Sequence, residues 1–220
     1  PCCGTTVAGG IVGIRLRAES DDADEAESML VEVAREVRDR VGPLIWGEED
    51  QTLAAAVIDL LGEKKLSLAT AESCTGGQLG GALTDIPGAS TVYRGGWVVY
   101  DNGMKQEHLG VDPERLKQHG AVSEPVAAAM ARGAAERAPA DLALSITGIA
   151  GPGGGSEEKP IGTVWIGLTE GDNVHTLCFH FRGDRARVRQ RTVHAALQVL
   201  RLHLIGESFE QMQFGRRDSA

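Results

Sequence analysis

Residues 66–77 read LSLATAESCTGG, an apolar run that breaks at Ser73 into a turn of hydroxyl, thiol and glycine. The run 66–72 has the length and composition of a buried strand, and CTGGQLGGALTDI (74–86) opens a glycine-rich helix behind it. Upstream, residues 50–64 place Leu53, Val57, Leu60 and Leu61 on one face behind an acidic first turn, which predicts an amphipathic helix. Downstream come a strand in YRGGWVVY (93–100), a helix over 124–137 and a strand in DLALSITGI (141–149). A glycine loop, a strand pair in TVWIGLTE (163–170) and HTLCFHF (175–181), and a helix over 185–205 complete the series. A β-α-β order followed by a late hairpin predicts an α/β fold: a three-layer α/β/α domain with a mixed sheet, over residues 49–206.

Ahead of it, IVGIRLR (11–17) alternates as a strand, and Ala26, Leu30, Val33, Val37 and Val41 recur at helical spacing. One strand and one helix cannot close a core, so residues 1–48 read as a partial small α+β module, and 207–220 as a tail. The chain opens on Pro1 rather than Met, as expected if it begins inside a longer polypeptide. Of the net charge of −9, −7 lies in residues 1–50, and no basic stripe with interleaved aromatics follows, which argues against nucleic acid as a partner. No apolar run reaches the roughly 18–20 residues of a membrane span and no signal peptide is evident, so a membrane partner is not expected. Four cysteines, two adjacent near the start and two isolated, make neither a disulfide framework nor a CxxC pair, which suits a reducing, cytoplasmic setting. Six scattered histidines give no metal-ligand spacing, so no metal or other cofactor is expected.

Four stretches carry chemistry. In TAESCTGG (70–77), a hydroxyl at a strand's carboxyl end sits where helix amides can receive an oxyanion; the plain alternative is that Ser73 or Thr75 only caps the helix. Cys74 is a rival nucleophile, or a buried core cysteine. In YDNGMK (100–105), Asn-Gly signals a turn that brings Tyr100 and Lys105 to one sheet edge, where Lys105 is either a desolvated base or an ordinary solvated lysine. The loop TGIAGPGGGSEEKPIG (147–162) lacks the Gly-Lys-Ser/Thr of a nucleotide P-loop, yet its length and its place after a strand favour a ligand loop. In RGDRARVR (182–189), arginines opening a helix oppose its dipole unless an anion is present; Arg185 either holds a phosphate or belongs to a solvated basic face.

Together with HGAVSEP (119–125) and in this order, these motifs resemble the CinA C-terminal domain family, also called the nicotinamide-nucleotide amidases, over about residues 50–205. Residues 11–50 are similar to the middle module of full-length CinA-like proteins. Their N-terminal molybdopterin-binding-like domain, with any ADP-ribose pyrophosphatase activity, has no counterpart in this sequence. The resemblance implies metal-free hydrolysis of nicotinamide mononucleotide to nicotinic acid mononucleotide and ammonia. It assigns Ser73 as nucleophile, Lys105 as base and Tyr100 as an orienting or proton-relaying hydroxyl. Amides around Cys74, Thr75, Gly76 and Gly77 would hold the oxyanion; Thr147, Gly148 and Gly151 at the loop entrance and Arg185 would contact substrate. A homodimer is expected, and a catalytically weak nucleotide-binding or regulatory module is the alternative.

Overall fold

Gly9 and Gly10, both in the left-handed region at φ 60° and 90°, turn the chain back on itself and set its first pair of elements. In a computed structural model that describes residues 1–208 and 212, β1 (Cys2–Ala8) pairs antiparallel with β2 (Ile11–Arg17), Ala8 opposite Ile11. The alternation in 11–17 marks only the second strand, because all seven residues of β1 are exposed and show no apolar face. α1 (Ala23–Val41) follows, with the Asp22 carboxylate accepting from the Asp24 amide and with acidic and basic residues in its first and last turns. Those charges complement the helix dipole. Arg38 donates twice to Glu48, at 2.7 and 2.8 Å. No residue in 1–50 is buried, so this first compact unit (Pro1–Asp50) has local structure without an interior.

The second unit begins at Gln51. α2 (Leu53–Lys64) starts after Thr52, whose hydroxyl accepts from the Ala55 amide, so Asp50, expected to open an acidic first turn, lies ahead of the helix, whose first turn holds no acidic residue. Then follow β3 (Leu68–Glu72), α3 (Gln78–Thr84), β4 (Tyr93–Val98), α4 (Asn102–Leu109), α5 (Pro113–His119) and α6 (Glu124–Arg137). β5 (Leu142–Gly148), β6 (Thr163–Glu170), β7 (Asn173–His180) and α7 (Arg185–Leu204) complete it. α5 was not anticipated: Asp112 and Pro113 form a helix start that a glycine and a short polar run conceal in the sequence. The Asn-Gly signal at 102–103 opens α4 instead of forming a free turn, because the Asp101 carboxylate accepts from the Met104 amide and caps it. Of the tail assigned to 207–220, residues 209–211 and 213–220 lie outside the described residues.

The strands form one sheet in the order β4-β3-β5-β6-β7, parallel across the first three and antiparallel across the last three. α4, α5 and α6 pack together on one face, and α2, α3 and α7 on the other, giving the three-layer α/β/α arrangement with a mixed sheet. β3 and β5 are central and covered on both sides, hence their unbroken burial, polar residues included; β4, at an edge, alternates. From β3 the chain passes to one neighbour, β4, and then crosses to the other, β5. The carboxyl ends of these strands thus meet at a switch point, where open α/β sheets form their crevice. No helix among the described residues is long and apolar enough to cross a membrane.

Candidate active site

Ser73 is the first residue beyond β3, and its amide donates to the Ile146 carbonyl on β5, which fixes the backbone under its hydroxyl. Lys105 lies in the first turn of α4, and helical geometry aims its side chain back toward the ends of β3 and β4. The Lys105 Nζ is 3.1 Å from the Ser73 Oγ, with Ser73 7% and Lys105 1% exposed. Lys105 is therefore no solvated turn lysine. Its amine also donates to the Val99 carbonyl at 2.9 Å, with the Tyr100 and Asp101 carbonyls farther off at 3.3 and 3.4 Å. Burial pushes its pKa below the ordinary 10.5, against the opposing pull of Asp101. A neutral amine has two N–H groups for these carbonyls and one lone pair for the serine hydroxyl, and this arrangement offers all three partners.

Ser73 and Thr75 do not cap α3. The Glu72 carboxylate does, accepting from the Gly77 and Leu79 amides at 3.1 and 3.0 Å and from the Gly80 amide at 2.8 Å. This corrects the oxyanion assignment: the Gly77 amide is held by Glu72 and the Gly76 amide by the Ser73 carbonyl, so neither is free to receive an anion. Their role is conformational, since at φ 59° and 91° they carry the turn through the left-handed region. Cys74 and Thr75 keep amides without a carbonyl or carboxylate acceptor among the described residues. The Cys74 thiol is buried and pushed up to about 11 by desolvation, a poor setting for a nucleophile.

Across a cavity of about 220 Å³ from this pair stand Tyr100 and Arg185. Among the described residues the Tyr100 hydroxyl is hydrogen-bonded to neither the serine nor the lysine. It accepts from Arg185 Nη2 at 2.7 Å. Arg185 also donates to the Gly151 carbonyl at 3.0 Å, so the glycine loop holds the guanidinium at the mouth. The anion that the start of α7 calls for is supplied in part by the Asp184 carboxylate, which caps the Arg187 amide. Thr147 and Gly148 line the cavity, but the Thr147 hydroxyl is spent on the Ala121 carbonyl at 2.8 Å. Gly148 has no room for a side chain: a β-carbon there would stand 3.1 Å from Cys74 Sγ and 3.0 Å from the Thr163 carbonyl.

The CinA C-terminal domain family model matches residues 50–204. The chain belongs to this family. A protein of Caldicellulosiruptor bescii, named as competence-damage inducible, is 47% identical over 194 residues, covering 88% of this chain and 47% of its own length. A CinA-like protein of a Synechococcus strain is 46% identical, over 90% of this chain and 48% of its own. The chain thus spans about half the length of the curated relatives it matches. The crystal structure of the Agrobacterium tumefaciens competence/damage inducible protein CihA superposes with a TM-score of 0.67 at 43% identity, over 70% of this chain and 93% of that one.

Within this family framework, two groups of residues went unassigned in the sequence. Asn102, Ala121 and Val122 line the cavity, and Lys159 of the glycine loop ties that wall down by donating to the His119 carbonyl. HGAVSEP carried the family signature, but small apolar residues give no chemical signal of lining a site. Glu72 and Arg189 brace the serine turn from either side, the latter donating to the Thr75 carbonyl at 2.7 Å. A buried carboxylate directly before a candidate nucleophile is a signal that could have been read. Among the described residues, no cluster of three or more His, Cys, Asp or Glu is arranged to hold a metal.

Proposed function

We propose that this domain is an amidohydrolase that converts nicotinamide mononucleotide and water to nicotinic acid mononucleotide and ammonia. The observation that carries this reading is the buried 3.1 Å contact between Lys105 Nζ and Ser73 Oγ. Lysine in place of histidine is a known variant of the serine-base arrangement. Ser73 Oγ attacks the carboxamide carbon as its proton passes to Lys105, and the Cys74 and Thr75 amides receive the oxyanion. The C–N bond then breaks, and the Lys105 ammonium returns that proton to the leaving nitrogen, which departs as ammonia. Water gives a proton to Lys105 and attacks the ester, and Ser73 leaves with that proton, freeing the carboxylic acid product. The cavity, about 220 Å³, is smaller than the roughly 300 Å³ lower bound of drug-sized sites. It suits the carboxamide-bearing ring, with ribose phosphate extending outward. Glu72 already occupies the start of α3 with negative charge, which turns the phosphate toward Arg185.

Ammonia release from nicotinamide mononucleotide in the presence of EDTA tests the reading. Turnover by the parent and its near-complete loss in folded Ser73→Ala and Lys105→Ala support it; a folded but inert parent makes the domain a nucleotide-binding or regulatory module. A homodimer belongs to the same reading, supported by the glycine-containing edge strand β4, and light scattering on a sizing column checks it.

A further inference from the structure

Glu72 is 2% exposed, and no step of the proposed chemistry uses it. A buried carboxylate is costly unless its oxygens are satisfied, and here three backbone amides satisfy them. Those amides belong to Gly77, Leu79 and Gly80, so the side chain bridges the last residue of β3 to the first turn of α3 across the whole nucleophile turn. Its backbone acts on the other partner. The Glu72 carbonyl accepts from the Val99 amide at 2.8 Å, and the Val99 carbonyl accepts from Lys105 Nζ at 2.9 Å. One residue is thus bonded, through its side chain, to the turn that carries Ser73 and, through its main chain, to Val99, the residue whose carbonyl is the closest acceptor of Lys105. The surroundings leave little slack: a β-carbon at Gly80 would lie 3.5 Å from Glu72 Oε1 and 3.0 Å from the Tyr93 hydroxyl, itself bonded to Thr70.

We infer that Glu72 is the positioning residue of the site: its carboxylate sequesters the α3 amides and holds the turn so that Ser73 Oγ faces Lys105 and only the Cys74 and Thr75 amides are left to meet the oxyanion. The inference rests on the proposed serine-lysine chemistry. Glu72→Gln separates positioning from folding. The glutamine is isosteric and keeps one acceptor oxygen, but its NH₂ opposes amide donors and breaks part of the set. Misplacing a reacting group by about 1 Å costs on the order of 100-fold in rate.

The experiment compares the parent and Glu72→Gln at a temperature where both are folded by near-ultraviolet circular dichroism. It reads two quantities: turnover of nicotinamide mononucleotide, and the rate at which a fluorophosphonate labels Ser73. The expected result is a fall of about 10- to 100-fold in kcat and in labelling rate, with KM within about twofold. Equal kcat and labelling in folded Glu72→Gln, whatever the fall in Tm, overturns the positioning role and leaves the serine-lysine reading standing. A parent that is labelled but does not turn over the nucleotide defeats the substrate assignment alone, and the labelling ratio still decides Glu72. A parent whose Ser73 is not labelled removes the nucleophile and the inference with it.

Discussion

At one end of the cavity Ser73 and Lys105 are 7% and 1% exposed and tied to backbone carbonyls; at the other, Tyr100 is 59% exposed and bonded to Arg185, which is also exposed. In the first pair Ser73 follows the central strand β3 and Lys105 sits in the first turn of α4, and both are anchored to carbonyls at the strand ends. The second spans a helix start and a loop, where side chains can adjust to a ligand. A buried pair whose partners are all peptide groups is suited to making and breaking bonds, and an accessible cation beside a phenol to gathering an anion. The two ends should therefore separate kinetically into rate and affinity.

The largest effect belongs to the buried end. Ser73→Ala and Lys105→Ala are each expected to lower kcat by about 10³-fold or more, and the double variant to be no worse than either, because the two act as a unit. Fully additive losses would break the pairing. Acid should do reversibly what Lys105→Ala does permanently. With its pKa lowered by burial, Lys105 is the group whose protonation limits the base form, so kcat/KM should rise with pH through an inflection below 10.5. Stability carries the same sign. The unfolded lysine binds its proton more tightly than the folded one, so the destabilising cost is absent above the unfolded value and grows as pH falls toward the folded one. Lys105→Met should therefore show a smaller gain in urea stability between pH 7 and pH 10 than the parent.

The exposed end should respond in KM. Arg185→Ala is expected to raise KM for the nucleotide by about 10-fold or more while kcat stays within about threefold, as for loss of a charge-assisted contact. Steady-state rates on the parent and variant decide it; a kcat-only effect would place Arg185 with the chemistry. The smallest effect concerns Cys74. Iodoacetamide at pH 8 should modify the exposed Cys2 and Cys3, spare the buried Cys74 and leave the rate unchanged, as peptide mapping beside an activity assay will show.

The buried end was the more legible in sequence, for a physical reason. A continuous apolar run must be a covered strand, and its break at Ser73 must fall at a carboxyl end where sites collect. What the sequence concealed is how the local hydrogen bonds are shared. Gly76 and Gly77 look like oxyanion donors until Glu72 and the Ser73 carbonyl are seen to hold them, because the competition is decided in three dimensions. Tyr100 looked close to Lys105 because it is near in the chain, yet its hydroxyl is turned to a helix 85 residues away. The first unit shows the converse. With no buried residue, β1 left no hydrophobic pattern to read, and only Gly9-Gly10 marked the hairpin.

Trapping the acyl-enzyme tests the central claim most directly: nicotinamide mononucleotide is mixed with the protein, quenched in acid within the first turnovers, and the digested peptides are weighed. The account predicts an added nicotinic acid mononucleotide acyl group, substrate less ammonia, on Ser73 in the parent and none in Lys105→Ala. An adduct on Cys74, or steady ammonia release with no adduct and undiminished rate in Ser73→Ala, would contradict it.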